Sequence, residues 1–420
     1  MNHSDSPTIA RSRWMILTLL FAISVVTYLD RVNISVAARQ MMPALGLTDV
    51  QMGQVFSSFV VGYALCQIPG GWLGDRWGAR LVLAGAIVWW SVFTALTAVA
   101  ATVPLASVIG ILGSLMTVRF LMGVGEAAAL PNFNRAVTTW LHSDERGLGL
   151  GIAIGGIGVG AAVAPPLTAW IMVNYGWQMT FYVAGAIGLL IAALWYGYAV
   201  DRPSGADAAA PVPWRRFVRT PTVCWLVLSY SCLGYVAYIY MSWFYLYLVT
   251  VREFNELQGA WFASAPFLAM ALLCPLGGWV TDRLVVRVGL NAGRQYTGAA
   301  GMGLAALAIC LGAYSDSPLF AIVLLSLGAG LLYFTVGAYW ACTSDLSKAH
   351  AGTLSGVMNT GANVGGSVSP ILTPWLAEQV GWAAALGVAA LVALAGGIMW
   401  IRIKPGDGLR PGEELGRVAL

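Results

Sequence analysis

The chain has 420 residues, of which 59% are hydrophobic and only 10% are charged, and its formal net charge is +4. Soluble domains carry about 25% charged residues, so this composition excludes a soluble globular protein and predicts a polytopic membrane protein. No basic stripe or finger motif is present, so we expect no nucleic-acid partner. The six cysteines lie in apolar runs without a CxxC spacing, so no disulfide, metal site or cofactor is expected.

The apolar runs predict twelve membrane-spanning helices, because a helix needs about 20 residues to cross a bilayer. The first run, WMILTLLFAISVVTYL, is too long for the core of a signal peptide and is read as a membrane helix. The predicted spans are 14–36, 51–73, 81–100, 105–130, 147–171, 177–199, 222–249, 256–280, 293–313, 318–341, 351–376 and 380–402. The predicted fold class is therefore an all-α membrane protein.

Two pairs of similar segments indicate that the twelve helices are two copies of a six-helix unit. IPGGWLGDR at 68–76 matches PLGGWVTDR at 275–283, an offset of 207. VAPPLTAWIMVNYGW at 163–177 matches VSPILTPWLAEQVGW at 368–382, an offset of 205. We expect two pseudo-symmetric bundles related by an axis along the membrane normal. The predicted bundles are residues 1–199 and 222–420, joined by a cytoplasmic linker at 200–221.

Lysine and arginine are distributed very unequally between the two sides of this topology. Eighteen of the 22 fall on the side that holds both termini, and only Arg39 and Arg252 fall on the other. The positive-inside rule therefore predicts that both termini are cytoplasmic.

Four ionisable residues interrupt the apolar helices: Asp30, Arg31, Arg119 and Glu126. Each costs about 2.5–3.5 kcal/mol to insert when unpaired. Asp30 and Arg31 are neighbours about 100° apart on helix 1, so they cannot face one another. Arg119, Gly123 and Glu126 share one face of helix 4, and Gly123 leaves room there for another helix or a bound molecule. The simplest arrangement brings helices 1 and 4 together.

These charges permit a structural and a functional interpretation. As a neutral set of two acids and two bases, they would hold helices 1 and 4 together. If both carboxylates are protonated instead, two arginines remain to bind an anion, and an arginine keeps its charge at any working pH. Protonation and anion binding would then favour each other. Burial disfavours a charged carboxylate and a nearby arginine favours it, and the sequence leaves that balance open.

Several motifs resemble known transporter signatures. GWLGDRWGAR at 71–80, with its echo GWVTDRLVVR at 278–287, resembles the loop signature of the major facilitator superfamily. Three further stretches, in order, are similar to the anion:cation symporter family. They are YLDRVNISVA at 28–37, FSSFVVGYALCQIPGGW at 56–72 and RFLMGVGEAAALPNFNR at 119–135.

The resemblance implies a proton-coupled symporter that imports a small organic anion by alternating access. It implies that Asp30 and Glu126 couple protons, that Arg31 and Arg119 bind the anion or gate its site, and that Tyr63 and Gln67 face substrate. It also implies a monomer in the bacterial inner membrane. The charges near the repeated loops would lock the cytoplasmic gate, or would serve as positive-inside anchors: Asp75, Arg76, Arg80, Asp282 and Arg283.

Other polar residues are weaker candidates for the binding site. Asn359 and Asn363, at i and i+4 on helix 11, would reach substrate from the second half, or would join helices by hydrogen bonds. Tyr28 and Asn33 flank the helix 1 charges. Tyr235 and Tyr238 would line a cavity, or would belong to the interfacial aromatic belt.

Helix 5 departs from the family pattern. Its stretch GIAIGGIGVGAA has no amide or hydroxyl side chain, whereas relatives that handle sugar acids commonly carry a polar side chain near Ile157. This difference favours a less hydroxylated carboxylate, aromatic acids included.

Two alternative functions remain open. A proton-coupled drug antiporter of the same fold is disfavoured by the poor GPxxGG match of GVGAAVAPPL at 158–167 and by the two membrane arginines. A membrane sensor that has lost transport is disfavoured by the presence of all four interior charges. No HExxH or cofactor motif is present, so we expect no enzyme.

Overall fold

The computed structural model describes residues 7–140, 146–199, 217, 219–347 and 351–407. Within its helices, the side chains of residues 7–12, 75, 134, 138–139, 146–151 and 351–352 are outside the description. The described residues form helices joined by short connections, and no strand occurs among them. Ten helical segments of this described part are long and apolar enough to cross a membrane.

The first half of the chain contains seven helices. They are α1 (Pro7–Leu45), α2 (Asp49–Trp77), α3 (Ala79–Thr97), α4 (Pro104–Glu126), α5 (Ala129–Trp140), α6 (Arg146–Tyr175) and α7 (Trp177–Tyr198). Together, α4 and α5 form the fourth predicted helix, which is interrupted at residues 127–128.

The second half contains nine described helices and a π-helical turn. They are α8 (Pro221–Ser242), α9 (Phe244–Leu246), the π turn (Tyr247–Val251), α10 (Glu256–Ala263), α11 (Ala265–Val288), α12 (Leu290–Ala313), α13 (Pro318–Phe334), α14 (Val336–Leu346), α15 (Ala351–Val380) and α16 (Trp382–Met399). Breaks at Trp243, Ser264 and Thr335 divide predicted helices 7, 8 and 10, which the sequence predicted as continuous.

Single glycines make four of the helix connections. Gly78, Gly176, Gly289 and Gly381 each adopt φ between +85° and +90°. Because a side chain is strained in this region, glycine is the residue that allows such a short reversal. The connections join predicted helices 2 and 3, 5 and 6, 8 and 9, and 11 and 12, so they occur at the same two places in each half.

The described chain divides into two compact units. The first contains α1 to α7 with Ile239–Ala265 and Pro370–Trp375, and the second contains the rest. The division therefore falls inside α8 and α15 as well as between the halves of the sequence. The bundle limits 1–199 and 222–420 stay a prediction from the repeat.

Helix packing within the two units repeats in register. In the first unit α1 packs on α6, and a Cβ at Gly156 or Gly160 would overlap the backbone of α1 at Phe21 or Val25. In the second unit Gly361 and Gly365 of α15 approach Val227 and Ser231 of α8 in the same way. These positions differ by 205 residues on one helix and by 206 on the other, in agreement with the sequence offsets.

Two more pairings recur in this way. The second and fourth helices of each unit approach closely, through Gly70 at Ala128 in the first unit and through Gly277 at Phe334 in the second. The third and sixth helices pack as α3 on α7 and as α12 on α16. The duplicated six-helix architecture expected from the sequence is therefore present in the packing of each unit.

Candidate functional site

The four interior charges predicted from the sequence lie together in the first unit, where α1 meets α4. Arg31 Nε donates a hydrogen bond to Glu126 Oε1, and the two side chains form an ion pair. The side chain of Arg31 is 7% exposed and that of Glu126 is 0% exposed. Removing one partner from a pair this deeply buried leaves an uncompensated charge, so each side chain stabilises the ionised form of the other.

Aromatic rings surround the guanidinium of Arg31. Its Cζ atom lies 4.3 Å from the ring centre of Tyr63, 5.0 Å from that of Tyr28 and 5.3 Å from that of Phe59. Cation–π contacts of this kind favour the charged group over the ring face. Helices α1 and α2 thus hold Arg31 in a fixed orientation while Glu126 takes one of its donors.

Arg119 lies on α4, seven residues before Glu126, and is 2% exposed. Its Nη1 approaches the sulfur of Met122 at 2.9 Å, its guanidinium lies 5.2 Å from the ring centre of Phe59, and its Nε has no hydrogen-bond partner. Gly123, on the same face, is in contact with the backbone of α2 at Phe59. Of the two occupants that the sequence allowed beside Gly123, the structure therefore contains the neighbouring helix.

Asp30 is completely buried, and neither of its carboxylate oxygens has a hydrogen-bond partner. The charged groups that act on it are Glu126 and Arg119, and the indole N–H of Trp90 on α3 lies beside it without completing a hydrogen bond. Asn33, one turn further along α1, is also fully buried with both amide atoms unpartnered. A buried carboxylate without hydrogen bonds is costly in its charged form, so this environment accommodates a neutral Asp30 more readily than an ionised one.

A small cavity lies next to Arg31, and its free volume of about 10 Å³ is room for about one water molecule. Helices α1 and α2 contribute its polar lining, and α5 and α6 contribute hydrocarbon. The lining residues are Ser24, Thr27, Tyr28, Arg31, Tyr63, Ala129, Leu130, Phe133 and Ile157. Three residues predicted for the substrate site, Tyr28, Arg31 and Tyr63, therefore share one cavity, whereas Gln67 and Arg119 are not part of its wall.

The second unit holds the two predicted asparagines. Asn363 is 4% exposed and accepts a hydrogen bond of 3.3 Å from the hydroxyl of Tyr238, and its Nδ2 has no partner. Asn359 is half-buried on the same helix. The Tyr238 hydroxyl therefore contacts a buried asparagine, and the choice between the cavity and the aromatic belt stays a prediction.

The residues predicted for the cytoplasmic gate are divided between the two units. In the first, Arg80 donates hydrogen bonds of 3.0 and 2.8 Å to the carbonyl of Tyr196 and covers its ring, and Arg76 covers the ring of Trp72. The side chain of Asp75 lies outside the described residues.

In the second unit, Asp282 accepts a hydrogen bond of 2.8 Å from Arg294, which also contacts Asp345 at 3.0 Å. Arg283 covers the ring of Trp279 at 5.0 Å. Arg294 therefore joins the ends of α11 and α14 to the start of α12, and the pattern analysis did not select it or Asp345.

Several residues around Arg31 and in the cavity wall were also missed, and Phe59, whose ring lies near Arg31, had a readable signal. Phe59 precedes Tyr63 by four residues and so shares its face of α2. Leu130 and Phe133 lie beyond the break at residues 127–128, which was not predicted. Among the described residues, no group of His, Cys, Asp and Glu side chains is arranged to hold a metal ion.

The sequence is similar to those of known membrane transporters. The profile of the Major Facilitator Superfamily matches residues 20–370 and 293–418. The chain is 34% identical over 414 residues to a probable sulfoacetate transporter of Cupriavidus necator, covering 91% of this chain and 94% of that protein. It is 32% identical to a D-galactonate transporter of Escherichia coli, covering 96% and 97% of the two chains.

The fold is also similar to solved transporter structures. The inward-facing, occupied structure of a bacterial homologue of the human lysosomal transporter Spinster superposes with a TM-score of 0.79 at 19% identity, covering 97% of this chain and 100% of that one. A D-xylose–proton symporter superposes with a TM-score of 0.75 at 13% identity, covering 94% and 99%. At these identities the likeness concerns the fold alone.

The expected twelve-helix architecture, the duplicated packing, the loop motifs and a profile match across nearly the whole chain agree. The relatives of this fold are transporters and not enzymes, as the sequence predicted. The chain is an integral, multi-pass membrane protein and belongs to the major facilitator superfamily, with organic-anion transporters among its relatives as the resemblance to the anion:cation symporters predicted.

Proposed function

We propose that this chain is a symporter that imports a small organic anion, a carboxylate or a closely related acid, together with protons. The ion pair between Arg31 and Glu126 at the edge of the cavity is the observation that carries the proposal. Arg31 is the cationic group of the cavity, and a carboxylate of the protein already occupies one of its donors. A substrate anion and Glu126 therefore compete for the same guanidinium.

Protonation of Glu126 resolves this competition. A neutral carboxyl no longer attracts the guanidinium strongly, so Arg31 is released to bind an anion through two parallel hydrogen bonds. The aromatic rings around Arg31 keep it oriented during the exchange. Binding of the proton and binding of the anion then promote each other by the same factor, as linkage requires.

Asp30 is the second carboxyl group that carries a proton in this proposal. Arg119 is its charged neighbour. Neutral Asp30 leaves Arg119 as excess positive charge behind the cavity, where it attracts the anion without contacting it. Arg119 thus acts through the electric field or as a gate, and Arg31 is the direct ligand. Tyr28 and Tyr63 complete the binding wall, and we assign supporting roles to Gln67, Asn359 and Asn363.

Transport by alternating access requires gates on both sides of the membrane. We propose that Asp75, Arg76 and Arg80 in the first repeat, and Asp282 and Arg283 in the second, act at the cytoplasmic gate, with Arg294 as the partner of Asp282. We further propose a monomer in the bacterial inner membrane with cytoplasmic termini. The names of relatives that carry sulfoacetate and D-galactonate support an anionic substrate.

A thermal-shift screen of the purified protein tests the proposal. Organic acids are compared at about pH 5.5 and about pH 7.5, and a bound ligand raises the apparent melting temperature by mass action. We expect stabilisation by an organic anion that is larger at the lower pH and is lost in Arg31→Ala. Stabilisation by lipophilic cations alone would contradict the proposal and favour a drug antiporter.

A further inference from the structure

The walls of the cavity differ in chemistry from one helix to the next. Helices α1 and α2 contribute Arg31 and the two phenols, whereas Ala129, Leu130, Phe133 and Ile157 contribute only hydrocarbon. The side of the cavity formed by α5 and α6 thus contains no side chain that can donate or accept a hydrogen bond.

Even the two small hydroxyl groups in the wall have already used their donors. Ser24 Oγ donates to the carbonyl of Ala153 at 2.5 Å, and Thr27 Oγ1 donates to the carbonyl of Ile23 at 2.8 Å. The Ser24 hydroxyl joins α1 to α6, and the Thr27 hydroxyl bonds to the backbone of its own helix. Each hydroxyl oxygen can therefore only accept a hydrogen bond from a ligand. The polar side chains of the cavity wall are therefore concentrated at Arg31 and the phenols of Tyr28 and Tyr63.

We infer that the substrate is a compact anion whose body carries few hydroxyl groups, with its anionic head on Arg31 and its body against α5 and α6. This inference rests on the proposed function and specifies its substrate class. A polyhydroxylated body would bury hydroxyl groups without partners along Ile157 and Phe133, and unmade hydrogen bonds of this kind are costly. A hydrocarbon body would lose nothing there and would gain from leaving water.

Matched pairs of acids with one carbon skeleton test the inference. Butanoate is compared with threonate, and succinate with tartrate, so that the number of carbons and of carboxyl groups stays constant while the number of hydroxyl groups changes. Affinity is measured by calorimetry on the intact protein at about pH 5.5. We expect the less hydroxylated member of each pair to bind at least about tenfold more tightly.

Ile157→Gln supplies an amide at the hydrocarbon wall. We expect it to reduce the preference within each pair at least about threefold by improving the affinity of the hydroxylated member. Ile154→Gln is the matched control on the same helix, because Ile154 is 39% exposed and does not line the cavity. Both members are measured on one preparation, so loss of folded protein lowers the active fraction equally for both and leaves their ratio unchanged.

The possible results separate this inference from the function on which it rests. Equal affinity within the pairs, or preference for threonate and tartrate, would overturn the inference and leave anion binding intact. An unchanged preference in Ile157→Gln would also overturn the placement of the body against α6. If no anion binds at either about pH 5.5 or about pH 7.5, the proposed function fails and the inference fails with it.

Discussion

The two repeats of this protein share their helix packing but not their interior charge. In the register given by the close contacts of α1 with α6 and of α8 with α15, Asp30 and Arg31 correspond to Val236 and Ala237. Those two residues are 1% and 4% exposed, so the corresponding places are equally buried. The described α13, Pro318–Phe334, which corresponds to α4, contains no charged residue.

This contrast separates what the fold needs from what the chemistry needs. A repeat with Val236 and Ala237 packs its first and fifth helices as closely as one with Asp30 and Arg31. The architecture therefore does not require buried charges, which are expensive inside a membrane. The charges of the first repeat are the groups that we propose carry protons and bind the anion.

The largest effect on transport is expected from replacing the two buried acids of the first repeat with neutral amides. Asp30→Asn and Glu126→Gln should each abolish proton-driven accumulation of the anion in proteoliposomes, because neither side chain can then carry a proton. Exchange of internal for external anion should persist, since it needs no net proton movement. Val236→Ala, at the position that corresponds to Asp30, should retain accumulation. If both acid variants still concentrate the anion, the assignment of the proton carriers is wrong.

A smaller effect is expected from changing the shape of the cation while keeping its charge. Arg31→Lys loses the planar fork and the contacts with the three surrounding rings, so anion affinity should fall about ten- to a hundredfold. Arg39→Lys is a suitable control, because its side chain is 42% exposed and makes only a 3.9 Å contact with Glu256. Unchanged affinity in Arg31→Lys, measured by calorimetry, would argue against direct ligation by Arg31.

Substitutions at the shared packing positions should affect both repeats alike. Gly160→Ala and Gly365→Ala place a methyl group against the backbone at Val25 and Ser231. Each should lower stability by about 1–3 kcal/mol through overpacking, measured as a lower melting temperature. Gly155→Ala, which faces open space, should change little. If only one of the two variants lost much stability, the packing of the two repeats would not be equivalent.

The smallest effect is expected at the charge cluster of the second repeat. Arg294→Ala removes hydrogen bonds to Asp282 and Asp345, of which the first is 72% exposed. Stability should fall by about 1 kcal/mol, because ion pairs that reach solvent contribute little. Anion affinity should remain unchanged, and a loss of affinity without a loss of stability would assign this cluster to binding. Arg283→Ala removes a cationic side chain from the same face and serves as the control.

The sequence predicted those parts of the fold that depend on local pattern and duplication. Apolar runs located the helices, and the repeated segments predicted the register that the glycine contacts show. Of the four interior charges, Arg31 lies in the wall of the cavity. Each of these features is present in the residue types themselves. The expected meeting of helices 1 and 4 is present as the ion pair between Arg31 and Glu126.

Features that depend on tertiary packing were not predictable in this way. The breaks at Trp243 and Thr335 occur without glycine or proline at the break itself. The break at Ser264 has a local signal, because Pro266 lies in the first turn of the helix that follows, but it was not predicted. In contrast, Pro165 and Pro166 lie inside α6 without ending it, because surrounding helices can satisfy the backbone groups that proline releases. The enclosure of Arg31 by rings from α1 and α2, and its pairing with Glu126 in preference to a neighbour on its own helix, likewise depend on how separate helices meet.

The coupling of protons to anion entry is tested most directly in proteoliposomes that contain a pH-sensitive dye. An inward gradient of the best-stabilising anion is imposed at equal internal and external pH with the membrane potential clamped. The account predicts acidification of the lumen in step with anion entry for the wild-type protein, and anion exchange without acidification for Glu126→Gln. Anion entry without a pH change, or with alkalinisation of the lumen, would contradict proton symport.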